Sequence, residues 1–285
     1  MAIGGNQLLV GGSGGGGDIE PIGVPTGVSL VGSRSFIRNT IPFFGYDGLS
    51  VYYQDTFSVP NFRTRWIQYQ MTTPYDITTL STSGVFGGAF ATGSGAIGDI
   101  IFTFNGLQIM GRDNTYIRAR GTDGAVAWVP NGGGTFYGSW PMFGQCHYAV
   151  QGGEYLIFFG NNALLKVQLN TPNDLSTYGA SPQTTYNLSA YQSAGASSSI
   201  SFNGASINGG QHLLHWDSLN SQIKIFQNNA AFDFTSPTLV STFSIPTSDP
   251  EIVGTEANIE ISYQGGYLYA QKIGSYKIFQ FAFTY

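Results

Sequence analysis

A short turn containing glycine returns five times along this chain of 285 residues, each time before a run of strand-forming residues. The last glycines of the five turns are Gly48, Gly106, Gly153, Gly210 and Gly266. Their spacings are 58, 47, 57 and 56 residues, so the chain is built from units of similar size. Glycine readily supplies the positive φ angle that a tight turn between antiparallel strands requires. The pattern predicts a β-hairpin in each unit, with these glycines in its turn.

A second repeated phrase follows the hairpin in three of the units. It reads QMTTPYDIT at residues 70–78, QLNTPNDLS at 168–176 and QNNAAFDFT at 227–235. Proline has no N–H to give to a sheet, so it ends a strand, and aspartate accepts hydrogen bonds from nearby backbone amides. The three aspartates are therefore predicted to lock turns rather than to act as catalytic acids: Asp76, Asp174 and Asp233.

The length of the repeat decides the fold class. Units of about 50 residues with three or four short strands are typical of a β-propeller, because one such sheet cannot bury both of its faces alone. Stacking into a solenoid is the competing arrangement, but solenoid repeats usually have about 20 to 45 residues. We predict an all-β fold, a five-bladed β-propeller over residues 21–285, preceded by a Gly-rich arm over residues 1–20. Either residues 21–39 complete the last blade, or that blade stays open.

Two of the phrases resemble a known type of repeat. WIQYQMTTPYDITTLS (Trp66–Ser81) and LLKVQLNTPNDLSTYG (Leu164–Gly179) are similar to the tandem YxYxLSTPWDIST units of propeller-like repeat proteins encoded in bacteriophage genomes and in some marine bacteria. The third phrase has Ala231 at the proline position. The resemblance implies a virion structural protein, in which the Gln/Tyr strand closes a blade and the phrase crosses to the next blade.

Charge and cysteine content exclude several classes of function. Only 9% of the residues are charged, the net charge is -5, and the 11 basic residues form no cluster, which argues against nucleic acid and anionic membrane as partners. No apolar run approaches the roughly 18 residues of a membrane span. Cys146 is the only cysteine, which excludes an intrachain disulfide and a zinc site with several thiolates, and we interpret it as a buried, inert thiol. No cofactor or metal is predicted.

The N-terminal segment is rich in glycine and should be a flexible coil when it is free. We expect it to lie against a partner or another copy of this chain. Its anchoring strand, predicted to add to the open sheet edge of a neighbour, consists of Asn6, Gln7, Leu8, Leu9 and Val10. The segment has no basic start and no continuous apolar stretch, so no secretory signal is predicted. The protein is expected to be made in a host cytoplasm and to reside in the virion.

Three functions follow in order of preference. The first is a non-enzymatic virion component, such as a tail, baseplate, fibre or head-decorating subunit, whose arm binds other virion proteins or copies of itself. The second is a carbohydrate-binding propeller for a host glycan, with the four tryptophans as candidates for stacking on sugars. These do not occupy equivalent positions in the repeat, which favours a packing role: Trp66, Trp128, Trp140 and Trp216.

The third function is glycoside hydrolysis, which needs at least two converging carboxylates. The one acidic cluster is SDPEIVGTEANIE, with Glu251, Glu256 and Glu260, and it comes from a single segment rather than from different blades. His212 and His215 are three residues apart in a predicted strand, so they should face opposite sides and share no metal.

Overall fold

The structure is a computed structural model. It describes residues 23–35, 43–44, 48–57, 63–90, 97–102, 108–113, 116–121, 135–139, 145–148, 154–160, 163–172, 174, 177, 182–191, 204–207, 209–217, 219–253, 259–272 and 275–285. Within these ranges the regular structure is β-strand, apart from short 3-10 turns such as those at Ile77–Thr79 and Ser189–Tyr191. No helix in these ranges is long and apolar enough to cross a membrane.

The described strands form five sheets of four strands each. Sheet one contains β2 (Phe43–Phe44), β3 (Ser50–Phe57), β4 (Arg63–Gln70) and β5 (Val85–Phe90). Sheet two contains β6 (Ile97–Phe102), β7 (Gln108–Asp113), β8 (Tyr116–Gly121) and β9 (Thr135–Ser139). Sheet three contains β10 (Gln145–Tyr148), β11 (Tyr155–Gly160), β12 (Ala163–Gln168) and β13 (Gln183–Asn187). Sheet four contains β14 (Gly204–Ile207), β15 (His212–Asp217), β16 (Gln222–Gln227) and β17 (Thr238–Ser244).

Sheet five joins the two ends of the described chain. Its first three strands are β18 (Ile259–Gln264), β19 (Tyr267–Lys272) and β20 (Lys277–Thr284), and its outer strand is β1 (Gly27–Ser35). The pairing of β1 with β20 is antiparallel and runs from Gly27 opposite Thr284 to Ser35 opposite Lys277. The N-terminal region therefore completes the last blade. Five successive four-stranded sheets, the last completed in this way, confirm the predicted all-β, five-bladed β-propeller.

The Pro/Asp phrase does not cross to the next blade, so this expectation from the resemblance is wrong. The phrase around Asp76 lies between β4 and β5, and the phrase around Asp233 lies between β16 and β17, so each stays within one sheet. The chain reverses directly after the third strand, because Met71 pairs with Leu80 in an antiparallel bridge. The step from sheet four to sheet five is instead made after the fourth strand, between β17 and β18.

The chain divides into two compact units. One comprises Pro42–Thr185, and the other comprises Met1–Ile41 together with Tyr186–Tyr285. In the second unit, the apolar faces of sheets four and five form one buried core. Trp216 of β15 packs on Phe281 of β20, with their ring centroids 5.5 Å apart. Burying a large apolar side chain stabilises a fold by about 1.5 to 3 kcal/mol, so the alternating core positions of these strands hold the two sheets together.

Candidate functional site

Three of the five turn glycines lie among the described residues. Gly48 has a φ of 66°, and Gly210 and Gly266 each have a φ of 80°, a region that side-chain-bearing residues rarely adopt. The turns lie before the second strand of sheets one, four and five, so the glycines occupy the same step of each unit. Gly106 and Gly153 lie outside the described residues.

In sheet one, the Pro/Asp phrase folds back onto the glycine turn. The N–H of Met71 donates to the carbonyl oxygen of Leu49 at 2.7 Å, and the N–H of Tyr75 donates to that of Gly48 at 2.8 Å. The ring of Tyr75 covers Gly48 so closely that a Cβ atom added at Gly48 would overlap it. We call this arrangement, in which the phrase is bound to the glycine turn of its own sheet, a clasp.

Sheet four repeats the clasp with different side chains. The N–H of Asn228 donates to the carbonyl oxygen of Gln211, and the N–H of Phe232 donates to that of Gly210, both at 2.9 Å. A Cβ atom added at Gly210 would lie 2.5 Å from the ring of Phe232. In sheet three, the N–H of Leu169 donates to the carbonyl oxygen of Glu154 at 2.7 Å, the equivalent bond.

Each clasp contains a tight turn with a positive φ at its third residue. The N–H of Asp76 donates to the carbonyl oxygen of Thr73 at 3.2 Å, and Tyr75 has a φ of 60°. This is the pattern of a type II turn, in which proline is favoured at the second position, here Pro74. In sheet four the same hydrogen bond joins Asp233 to Ala230 at 3.0 Å, although Ala231 replaces the proline.

The aspartates hold the residues that follow the turn. Oδ1 of Asp76 accepts hydrogen bonds from the N–H of Thr78 at 2.9 Å and from its hydroxyl at 2.6 Å. Oδ1 of Asp233 accepts the same two bonds from Thr235, at 3.1 and 2.6 Å. At Asp174, the carbonyl oxygen accepts from the N–H of Thr177 at 3.2 Å and from its hydroxyl at 2.8 Å. The carboxylates of Asp76 and Asp233 therefore orient the backbone.

The residue after each of two aspartates is an anchor in the core. Ile77 and Phe234 are fully buried, and the ring of Phe234 meets that of Tyr186 edge-on at a centroid distance of 5.4 Å. The phrase of each of these two clasps thus covers the glycine turn of its sheet, carries a carboxylate that locks the backbone, and supplies a buried side chain.

Replacing Asp233 should measure the contribution of the carboxylate. We expect Asp233→Ala to lower the free energy of unfolding by about 1 kcal/mol, because the N–H and hydroxyl of Thr235 lose an acceptor that water replaces only in part. Urea unfolding followed by tryptophan fluorescence measures this. Asp233→Asn keeps an acceptor oxygen and should cost less than half as much. Equal losses for the two variants would contradict this role.

The acidic residues near sheet five are engaged with its turns. Lys277 pairs with Asp249 at 2.5 Å, and the hydroxyl of Ser275 donates to Glu251. The hydrogen bond from Lys277, together with one from the N–H of Glu251, lowers the pKa of Asp249 below its usual value. Glu256 and the side chain of Glu260 lie outside the described part of the structure. The cluster proposed for hydrolysis is thus seen only at Glu251.

A second charged pair closes the β15–β16 hairpin. Oδ2 of Asp217 accepts from Nζ of Lys224 at 2.7 Å and from the side-chain amide of Asn220 at 3.0 Å, while Oδ1 accepts from the N–H of Asn220 at 3.1 Å. Asp217 is buried, and these donors compensate its charge. The carboxylate therefore fixes the hairpin turn.

Two histidines, His212 and His215, and the one described tryptophan side chain are internal. Trp216 is 1% exposed, so it belongs to the core and has no free face for a sugar ring. Trp128, Trp140 and the side chain of Trp66 lie outside the described residues, as does the side chain of Cys146. His212 and His215 are both buried in β15, and burial lowers the pKa of His212. Among the residues that the structure describes, no group of three or more potential metal ligands occurs.

Exposed apolar side chains occur at equivalent places on two outer strands. In β1, Leu30 lies opposite Phe281, and Val31 is the extra residue of a β-bulge. In β17, Leu239 lies opposite Phe226, and Val240 is the extra residue. Leu30 and Val31 are 39% and 44% exposed, and Leu239 and Val240 are 50% and 37% exposed. We call Leu30–Val31 and Leu239–Val240 the rim pairs.

The start of the described chain lies beside one rim pair. The hydroxyl of Ser241, next to Val240, donates to the carbonyl oxygen of Pro25 at 3.3 Å. The arm residues Asn6–Val10 lie outside the described residues, so the chain enters the described fold at Gly23, two residues before Pro25. The rim pairs were not predicted; SLVGS and TLVST, at residues 29–33 and 238–242, are a repeated signal for equivalent positions, but not for exposure.

No protein-family model matches the chain, and no curated protein matches its sequence. Among solved structures, the chain is similar to the WD40 domain of Toxoplasma gondii coronin, with 8% identity, a TM-score of 0.48, and coverage of 93% of this chain and 88% of that one. It is also similar to the β-propeller domain of Myceliophteria thermophila Cps50 (Swd1), with 11% identity, a TM-score of 0.41, and coverage of 78% and 66%.

A third similar structure is a putative 6-phosphogluconolactonase from Bacteroides fragilis, with 14% identity, a TM-score of 0.42, and coverage of 81% of this chain and 63% of that one. The chain thus spans less than two thirds of the lactonase and about two thirds of the Cps50 domain. Likeness at this level transfers no residue role and no activity to this chain, whose own five sheets identify it as a β-propeller.

Proposed function

We propose that this chain is a non-enzymatic structural subunit of a bacteriophage virion, in the tail, baseplate, fibre or capsid decoration, that assembles through its N-terminal arm. The observation that carries the proposal is the pair of exposed apolar sites on the outer strands, Leu30–Val31 and Leu239–Val240. Covering these side chains removes apolar surface from water, which favours contact with another subunit. The partners are other virion proteins and copies of this chain.

A rigid scaffold also supports this role. The clasps in sheets one and four tie their loops to their own glycine turns by backbone hydrogen bonds and a covering aromatic ring. The carboxylates of Asp217, Asp249 and Glu251 are engaged with donors of the same fold. Loops held in this way suit a subunit that keeps its shape while its outer strands and its arm make the contacts.

The proposal predicts that the chain is present in particles and that its arm is needed there. Phage lacking this gene should be complemented with the full chain or with a chain lacking residues 1–16, and purified particles should be analysed by quantitative mass spectrometry. We expect the full chain at a fixed copy number and at least a tenfold loss for the truncated chain, because the truncation removes the proposed anchoring strand.

Circular dichroism of the purified truncated chain provides the control, since it should unfold at the same temperature as the full chain. Particles that contain the truncated chain in the same amount as the full chain would refute the role of the arm. The absence of the full chain from particles would refute the virion role itself.

A further inference from the structure

We propose that the rim pairs are the surface to which the arm binds, and that residues Asn6–Val10 of one copy cover Leu30–Val31 and Leu239–Val240 of a neighbouring copy. This inference rests on the proposed function and names the contact by which the arm would act. The partner of this surface is then an uncharged peptide with three consecutive aliphatic side chains, Leu8, Leu9 and Val10.

The chemistry of the two surfaces is complementary. The rim pairs present four aliphatic side chains with exposures between 37% and 50%. Removing such groups from water drives association, and it requires a partner that is equally apolar and carries no charge to desolvate. Residues 6–10 meet this requirement, since they contain two amide side chains and three aliphatic ones but no charged group.

The bulges determine how the arm would bind. Val31 and Val240 each interrupt the register of the outer strand, and a bulge of this kind hinders the addition of a long further strand at a sheet edge. The arm is therefore expected to bind mainly through its aliphatic side chains, over a short stretch, and not as a full additional strand. This refines the sequence-based prediction of strand addition.

The segment between Val10 and Gly23 determines how far the arm can extend. Twelve residues lie between Val10 and Gly23, and they can span up to about 40 Å when extended. A Gly-rich chain of this length has an average end-to-end distance of about 20 Å. The described part of the chain starts beside Leu239–Val240, because the hydroxyl of Ser241 donates to the carbonyl oxygen of Pro25, and Leu30 lies five residues further along the chain. We expect the arm of an adjoining copy that enters at this rim to contact both pairs.

Peptide binding tests the surface directly. A fluorescein-labelled peptide of residues 1–16 should be titrated, by fluorescence anisotropy, with protein that lacks those residues. The test variant is Leu30→Lys with Leu239→Lys, and the matched control is Ser29→Lys with Thr242→Lys, which adds the same charge at exposed positions of the same two strands. We expect the test variant to weaken binding at least tenfold and the control to change it less than about twofold.

The peptide offers a second variant that does not depend on protein folding. Leu9→Lys in the peptide should weaken binding at least tenfold, because it places a charge among the aliphatic side chains of the rim. Equal binding by the two protein variants, unchanged binding of the altered peptide, or no binding up to about 1 mM would overturn the proposal.

Sedimentation of the full chain separates binding to a neighbour from binding within one copy. We expect concentration-dependent association that is lost both on removal of residues 1–16 and in the Leu30→Lys/Leu239→Lys variant. A full chain that remains monomeric at every concentration, while its truncated form binds the peptide, would overturn the assignment to a neighbouring copy. Rim variants that still enter particles normally would refute this contact, whereas a chain that is absent from particles would refute the virion role.

Discussion

Gly210→Ala should lower the free energy of unfolding by about 3 kcal/mol, whereas Gly266→Ala should lower it by about 1 kcal/mol. Both glycines have a φ of 80°, so the backbone strain of an alanine should destabilise the fold equally at either position. Only at Gly210 does the new Cβ meet an aromatic ring, that of Phe232, at 2.5 Å. At Gly266, no atom of the described residues lies within 4 Å of the added Cβ. The difference between the two variants therefore measures the clasp.

Urea unfolding of both variants gives the comparison, and a third variant makes it specific. When Phe232 is first replaced by alanine, Gly210→Ala should cost only about 1 kcal/mol, because the covering ring is gone. The interaction between the two substitutions should then be close to 2 kcal/mol. Equal losses for Gly210→Ala and Gly266→Ala in the otherwise unchanged protein would show that the ring does not constrain the turn.

The number of sheets could be predicted because its signal is local. A tight turn between antiparallel strands needs a residue that tolerates positive φ, so each unit repeats a glycine at its turn. Gly48, Gly210 and Gly266 then appear in the sequence at the spacing of the blades. The same logic allows Ala231 to replace proline, because the turn depends on the hydrogen bond from Asp233 to Ala230 and not on the ring of proline.

The path of the chain between strands could not be predicted in the same way. Whether the phrase after β4 returns to its own sheet or crosses to the next depends on the bridge between Met71 and Leu80 and on the bonds to the glycine turn. These contacts join residues that are distant in the sequence, and no particular residue type indicates that they will form. The resemblance to phage repeats predicted that the phrase crosses to the next blade, whereas the chain returns to its own sheet.

The rim pairs were missed for a related reason. Leu30 and Leu239 are ordinary strand residues in the sequence, and their exposure follows from two facts that appear only in the fold. Their strands are the outermost of their sheets, and a bulge follows each of them. Alternation alone would have placed one residue of each Leu-Val pair inside, because successive side chains of a regular strand point to opposite faces.

Because β1 completes sheet five, we expect its removal to cause the largest loss of stability of all the changes considered. A chain that lacks residues 1–35 should lose most of its stability, by about 5 kcal/mol or more, which is comparable to the total stability of many domains. The truncation removes the antiparallel pairing of eight residues with β20 and uncovers part of the core, on which Val28 packs. It also leaves β20, with the apolar sequence KIFQFAFT, as an open edge that favours aggregation.

A chain that lacks only residues 1–22 is the matched control, because it keeps β1 and every described contact of that strand. Thermal unfolding by circular dichroism should show a transition for this control within a few degrees of the full chain, and a low or absent transition without residues 1–35. A synthetic peptide of residues 23–35, added in excess, should restore part of the transition, since β1 pairs with β20 through its backbone. Equal transition temperatures for the two truncated chains would mean that β1 is not needed to complete the last blade.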